Sequence, residues 1–298
     1  MKASPSRQES VYRRSSSPEE AASWTRRQVA MTNVRTVAGR AYPYVHALGR
    51  EKSWVVFQIL LPFLATSAFV FVYRALDAPP QYIGFVVLGG AITAFWLAVI
   101  WNMAMQLSWE KRQGNLELYF AAPMHVMAVL LGTALGSLVI SSTRAAAVLV
   151  IATIVFGVTF QVDDWPLLIA VFFLTLTALC GLGMMFASLF LMWGREARHI
   201  SELLTEPVYF VAGLNFPVGR LGFLGSIAIS VLPLAVGLDA MRQLAFADSA
   251  YPSGTPSPGI EALILVGMTV VFVVLARWCL ATLERRARRE GRLSVRWQ

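Results

Sequence analysis

The chain alternates between long apolar runs and short charged segments. Five of the runs are long enough to cross a membrane as helices, because about 20 apolar residues span roughly 30 Å of hydrocarbon. They cover residues 54–73, 82–107, 126–160, 165–193 and 260–283. This pattern predicts an all-α integral membrane protein.

The region 200–245 is apolar but interrupted, so it does not read as a simple span. Residues 207–217 provide only a short apolar stretch, and the next one, 221–238, contains Pro233. Proline removes a backbone donor and disfavours a helical residue before it. We therefore predict a short fifth span over 201–216, a break at Pro217, and an external re-entrant hairpin over 217–245.

The basic residues set the predicted orientation. Ten Lys or Arg residues precede Trp54, and six arginines follow residue 284. Cytoplasmic loops carry an excess of Lys and Arg, so both termini are predicted to be cytoplasmic and the number of spans to be even. The sequence thus predicts six transmembrane helices, with the interrupted region supplying one of them.

The segments outside the spans are predicted as follows. Residues 1–28 are rich in Ser, Arg and Glu and indicate a disordered cytoplasmic tail, and 285–298 form a second, basic cytoplasmic tail. Residues 29–53 carry apolar positions three and four apart with arginines between them, which is typical of an amphipathic helix in the membrane interface. A solvated linker is the alternative for this segment.

The composition agrees with a membrane protein. Apolar residues make up 57% of the chain and charged residues only 14%, against about 25% in soluble proteins. The net charge of +8 would suit a nucleic-acid partner, but the apolar runs favour the interpretation that Lys and Arg lie in cytoplasmic loops and set the orientation in the membrane. We therefore expect contact with membrane lipid and none with nucleic acid. Cys180 and Cys279 lie in apolar runs and indicate no disulfide framework.

No catalytic motif is recognisable. The chain has no phosphate-binding G-x-x-x-x-G-K-[ST] loop, and its three histidines, His46, His125 and His199, are scattered. Asp163 and Asp164 form an acidic pair, but Trp165 and Pro166 follow it and it reads as a solvated turn. We expect no enzymatic activity, no metal and no cofactor bound by this chain.

The most informative loop, 108–125, lies between the second and third runs. It begins with charged residues, breaks at a glycine, continues as a short amphipathic piece and stops at a proline, which is typical of a rigid knob that enters a groove of a partner. A plain connecting loop is the alternative. The residues concerned are Glu110, Lys111, Arg112, Gly114, Leu116, Glu117, Leu118, Tyr119, Phe120 and Pro123.

This loop resembles the cytoplasmic motif of the permease subunits of ABC-type drug and polysaccharide exporters. The segments Gly213-Leu-Asn-Phe-Pro217 and Leu232-Pro-Leu-Ala-Val-Gly-Leu-Asp239-Ala-Met-Arg242 resemble later motifs of that family, in the same order. The resemblance covers roughly residues 30–285, and Ala235 departs from a position where the family often has Thr.

The resemblance implies a permease half that works with a second permease, identical or homologous, and two copies of an ABC ATPase subunit. ATP and Mg would then bind to the ATPase, and the 108–125 loop would be the coupling helix that contacts it. Part of an external gate would consist of Phe216, Pro217, Pro233, Asp239 and Arg242. Of these residues, we expect Asp239 and Arg242 to lie at the external surface.

One charge falls inside a span. Arg144 lies in the third run, and Glu202 and Glu206 begin the fifth. Intramembrane charges are usually paired or functional. We predict an ion pair between Arg144 and Glu206 or Glu202, with contact to an anionic substrate headgroup and simple snorkelling as alternatives.

The function that we predict is export of a lipophilic or amphipathic substrate, such as a drug or natural product, across a bacterial inner membrane. A lipid-linked glycan is the second choice of substrate. A membrane-embedded enzyme and a scaffold that merely anchors a partner are rival classes, and the absence of a catalytic group and the broken fifth span argue against them.

Overall fold

The structure is a computed structural model and describes residues 26–50, 52–115, 119, 124–193, 196–216, 231–246 and 256–290. Residues 1–25 and 291–298 of the predicted tails, most of the predicted knob and residues 217–230 of the predicted hairpin lie outside the described residues. Residues 26–28, predicted to be disordered, and 285–290 are helical. Within them every regular element is helical, which confirms the all-α prediction. The helices are α1 (Arg26–Arg50), α2 (Lys52–Ala75), α3 (Pro80–Leu97), α4 (Gln106–Arg112), α5 (Val126–Phe156), α6 (Trp165–Trp193), α7 (Ala197–Val211), α8 (Pro233–Ala245) and α9 (Pro258–Glu290).

Five stretches in the described part of the chain are long and apolar enough to cross a membrane. They are Val55–Ala75, Pro80–Arg112, Val126–Phe156, Trp165–Leu191 and Pro258–Thr282, and they coincide with the five apolar runs of the sequence. Helices α7 and α8 contain only 15 and 13 residues.

The central helix of the bundle is continuous from Pro80 to Arg112. A π-helical segment, Ala98–Ala104, joins α3 to α4, and the N–H of Met105 donates to the carbonyl of Ile100, five residues earlier. At 1.5 Å per residue, the 33 residues extend about 50 Å. We call its two extremities the Arg242 end, near Phe85, and the Glu110 end.

The core surrounds this central helix. Phe95, Trp96 and Ile100 are almost fully buried in the main cluster, which also draws residues from α5, α6, α8 and α9. Helices α1, α2, α5, α6, α7 and α9 expose large apolar side chains on their outer faces, as helices in contact with lipid or a partner do.

Helix α7 extends between the two ends of the bundle. Near its beginning, the Ser201 hydroxyl lies 3.1 Å from the Met105 sulfur, and Leu204 packs in the same cluster. Beyond its last residue, a turn places the Leu214 carbonyl against Gly89 of α3. Its 15 residues therefore run beside the stretch of the central helix between Gly89 and Met105.

Helix α1 packs lengthwise on the beginning of α5, and both run in the same direction. A Cβ atom on Gly132 would lie 2.7 Å from the Val37 carbonyl oxygen, and one on Gly136 would lie 2.9 Å from the Tyr44 Cβ atom. Small residues four apart let two helices approach this closely. The contact places α1 at the Glu110 end of the bundle.

Two candidate functional sites at the ends of the bundle

Glu110 is the centre of a polar cluster where α1 meets α4. Its carboxylate is 4% exposed and pairs with the Arg40 guanidinium. It also accepts hydrogen bonds from Gln106 at 2.6 Å and Asn115 at 2.9 Å. A buried carboxylate needs such partners, because an unpaired one is costly to remove from water. The cluster therefore fixes α1 to the end of the central helix.

The aromatic residues of this cluster are tyrosines. Burial, and then the hydrogen bond that it donates to Glu110, raise the pKa of Tyr119 to about 12. The Arg40 guanidinium lies 5.6 Å from the centre of the Tyr119 ring. Burial also raises the pKa of Tyr44. Both phenols stay neutral at physiological pH and act as hydrogen-bonding groups around an ion pair.

The structure holds both ends of the 108–125 loop against α1. Glu110 binds Arg40 at the start of the loop, and at its end the N–H of His125 donates to the Asn33 side chain at 2.9 Å. Between them Gly114 adopts φ 77°, a left-handed conformation that suits glycine, and ends α4.

The predicted coupling residues are therefore only partly described. Glu110 is buried, Tyr119 is half-buried, and Lys111, Arg112 and Gly114 are exposed. The remaining five lie outside the described residues: Leu116, Glu117, Leu118, Phe120 and Pro123.

Sequence reasoning missed the residues that hold Glu110. Arg40 and Asn33 were assigned to an isolated interfacial helix, but they lie on its inner face together with Val37 and Tyr44. A signal was present, because Asn33, Val37, Arg40 and Tyr44 recur at four- and three-residue spacing. Reading that stripe as a buried face would have predicted a polar partner for Arg40.

The second site is built around Arg242, a fully buried arginine on α8. Its guanidinium donates to four backbone carbonyls, those of Phe85 at 2.8 Å, Gly213 at 2.7 Å, Leu214 at 2.8 Å and Phe216 at 3.2 Å. Three of these carbonyls belong to the turn 213–216, which follows the last residue of α7. Arg242 thereby caps this turn and ties it to α3.

Close packing supports this cap. A Cβ atom on Gly89 would lie 1.7 Å from the Leu214 carbonyl oxygen, so only glycine fits there. The Tyr73 hydroxyl donates to the Asn215 carbonyl at 3.1 Å, and Gly213 adopts φ 65°. Every carbonyl from Gly213 to Phe216 thus has a side-chain partner from α2 or α8.

Helix α8 is also joined to α9 through acidic groups. The Gln243 side-chain amide donates to Asp239 and Glu261 at 3.3 Å each, and to the Pro256 carbonyl at 3.0 Å. The expectation that Asp239 and Arg242 reach the surface is wrong, since both are fully buried. Both side chains have hydrogen-bonding partners in the interior, because backbone carbonyls accept from Arg242 and the Gln243 amide donates to Asp239.

The other predicted gate residues occupy different surroundings. Pro233 is buried at the first turn of α8, where a proline needs no partner for its nitrogen. Phe216 is half-buried and makes an edge contact with Phe210. Pro217 lies outside the described residues.

The predicted intramembrane pair is not formed within the described part of this chain. Arg144 is half-buried on α5 and has no ion pair there. Glu202 instead pairs with Arg198, one helical turn away, at 3.2 Å. Glu206 is exposed. Local pairing within α7 thus engages Glu202 in place of the interhelical contact that the sequence suggested.

The acidic and histidine residues form no metal centre in the described ranges. No group of three His, Cys, Asp or Glu side chains suitable for a metal occurs there. Asp163 and Asp164 are exposed, and Asp164 accepts a hydrogen bond from the N–H of Leu167 at 3.0 Å. Asp164 therefore caps the beginning of α6.

Comparison with known families matches residues 45–246 to the model of the ABC-2 type transporter family. A search of the curated proteins finds no match. The matched region extends over more than half of the chain and contains Glu110 and Arg242, whereas Arg40 and Tyr44 of the Glu110 cluster precede it. The chain belongs to the ABC-2 type transporter family, the permease family of ABC-type exporters.

Proposed function

We propose that this chain is the permease half of an exporter that moves a lipophilic or amphipathic substrate out of a bacterial cell across the inner membrane. A separate ABC ATPase subunit, in two copies, binds ATP and Mg and supplies the energy. A second permease, identical or homologous, completes the transport path. The Glu110 end faces the cytoplasm in this proposal, and the Arg242 end faces outward.

The observation that carries the proposal is the arrangement around the 108–125 loop. Arg40 and Asn33 of α1 hold its two ends, and the central helix leads from Glu110 towards Phe85 without a break. A displacement of this loop by a bound partner would therefore be transmitted to a continuous helix that reaches the opposite end of the bundle. Such a rigid connection suits a coupling element that transmits the closure of an ATPase dimer.

The Arg242 end supports an external gate in the same proposal. Arg242 joins the end of α7 to α3, and Gln243 joins α8 to α9, so residues 212–257 begin and end at the same extremity. The course of α7 between the two ends supports its role as the fifth of six crossings. The segment 217–245 then re-enters from the outside and returns, with Phe216, Pro217 and Pro233 at its bends.

Coupling is tested with the permease co-purified with its ATPase and reconstituted in liposomes. Glu117→Lys, or Leu116→Asp with Leu118→Asp, is expected to lower substrate-stimulated ATP hydrolysis without lowering the yield of folded permease. Asp163→Lys is the matched control, because it alters an exposed loop at the opposite end. Normal stimulation and normal complex yield for all loop variants would contradict the proposed coupling role.

Topology is tested with single cysteines in a background without Cys180 and Cys279. In intact cells, an impermeant thiol reagent is expected to label the cysteines that replace Asp163, Arg220 and Ser253. The cysteines that replace Arg198 and Leu293 are expected to react only after the cells are permeabilised. Labelling of Arg220 and Ser253 on opposite sides would replace the hairpin with a crossing. External labelling at Leu293 would overturn the six-span arrangement.

A further inference from the structure

Two acidic side chains meet in the interior of the bundle where α8 packs against α9. Asp239 of α8 and Glu261 of α9 are both fully buried, and their carboxyl groups lie within hydrogen-bonding reach of each other. The nitrogen of the Gln243 side-chain amide lies 3.3 Å from an oxygen of each carboxyl group. Two negative charges this close repel each other strongly in the interior, where screening is weak. The contact therefore requires that one of the two charges be neutralised.

The hydrogen-bond donors around this pair are too few for two ionised carboxylates. The Gln243 amide nitrogen carries two hydrogens, but three oxygens accept from it, one each from Asp239, Glu261 and the Pro256 carbonyl. The Oε1 atom of Glu261 is buried and has no hydrogen-bond partner within the described residues. An ionised carboxylate that lacks donors is costly to bury. The arrangement is thus short of a proton donor.

No cation neutralises Glu261 within the part of the chain that the structure describes. Glu261 forms no ion pair there, and the Arg242 guanidinium donates to backbone carbonyls. The titratable groups on the other two helices that pack against α8 are the Tyr82 phenol on α3 and the Cys180 thiol on α6. On α9 the next titratable residue is Arg277, about 24 Å further along the helix. A proton is therefore the group that fits between the two carboxylates.

We propose that Asp239 and Glu261 form a proton-binding site in which the two carboxyl groups share one proton. One carboxyl group then donates a hydrogen bond to the other, and the pair carries one negative charge instead of two, as in other sites where two acids lie about 3 Å apart. The pair binds and releases this proton as a unit. Release leaves two buried negative charges that weaken the junction of α8 with α9, so the junction responds to pH. The assignment does not depend on transport, on an ATPase or on the orientation of the chain.

The first test detects the proton by infrared spectroscopy of the full-length permease, purified in a detergent without carbonyl groups, at neutral pH. The carbonyl stretch of a protonated carboxylic acid is separate from the bands of a carboxylate and shifts in heavy water. We expect this band in the unaltered protein and its loss in both Asp239→Asn and Glu261→Gln, because either change leaves a single carboxylate with an amide donor beside it. The matched controls Asp163→Asn and Glu196→Gln alter exposed residues and should keep the band. Absence of the band from the unaltered protein, or its persistence in either pair variant, would overturn the proposal.

The second test measures how denaturant unfolding of the same protein depends on pH. Both carboxyl groups ionise near pH 4 in the unfolded chain, so above about pH 6 the folded protein holds one proton that the unfolded chain has released. Stability therefore falls as the pH rises. The unfolding equilibrium constant should increase with pH more steeply than in Glu261→Gln, by about tenfold per pH unit, up to the pH at which the infrared band disappears. Equal slopes in the two proteins over that range would show that no proton is shared and would refute the assignment.

Discussion

Replacing Arg40 tests whether the ion pair to Glu110 is the contact that fixes α1 to the central helix. Arg40→Met keeps most of the length of the side chain but removes its charge and its hydrogen bond. A hydrogen bond to a charged group contributes about 1.5–3 kcal/mol. The Arg40 side chain is 30% exposed, so water compensates part of the loss. We expect the free energy of unfolding to fall by about 1–2 kcal/mol.

The assay is a double-mutant cycle on purified permease in detergent, with reversible denaturant unfolding followed by circular dichroism. Glu110→Gln alone disturbs the contacts with Gln106 and Asn115 as well, and the double variant separates those effects from the pair itself. We expect an interaction energy of about 1 kcal/mol or more between Arg40 and Glu110. Arg35→Met is the control, because Arg35 is exposed and lies on the other face of α1.

The outcome that refutes the reasoning is additivity. If the two single changes add within about 0.5 kcal/mol, the residues do not interact energetically. If Arg35→Met costs as much as Arg40→Met, the loss reflects the charge of α1 in general and not the contact with Glu110. Either result would remove the physical basis for a rigid junction at this end.

Three further predictions address other parts of the structure. Gly89→Ala should destabilise the protein by at least about 3 kcal/mol in the same unfolding assay, because backbone occupies the space, whereas Gly267→Ala should change little, because its surroundings are open. An alkaline absorbance titration of the unaltered protein should show one phenol that titrates near pH 12 and that is missing from the Tyr119→Phe variant. The stabilising effect of the neutral Tyr119 phenol is complete below pH 10 and is lost as the pH rises through 12. Arg144→Ala and Glu206→Gln should be additive in unfolding, within about 0.5 kcal/mol, and a larger interaction would restore the predicted pair.

The membrane-crossing helices were predictable because hydropathy over 20 residues is a strong signal. Helices α5 and α6 begin at Val126 and Trp165, where the apolar runs begin. The π-helical segment, Ala98–Ala104, was not predictable, because neither proline nor glycine marks it. A change from α to π bonding depends on how neighbouring helices pack, and that information is spread over the whole bundle.

The polar clusters were harder to predict, for a different reason. Sequence reasoning treats a charge beside a loop as solvated, yet Glu110 and Arg242 are both buried. The partner of Glu110 lies 70 residues away, and one acceptor of Arg242 lies 157 residues away. Local spacing carries no information about such contacts. The resemblance identified the segments containing Glu110 and Arg242, but not the groups that satisfy their charges.

The Arg242 cap has a consequence for the order in which the chain is assembled. Phe85 and the turn 213–216 are synthesised before Arg242, which donates to carbonyls of both. Until α8 leaves the ribosome, the carbonyls of Gly213, Leu214 and Phe216 lack the guanidinium that binds them in the folded protein. The contact that joins the end of α7 to α3 can therefore form only after residue 242 has been synthesised, although every other residue that takes part in it comes earlier in the chain.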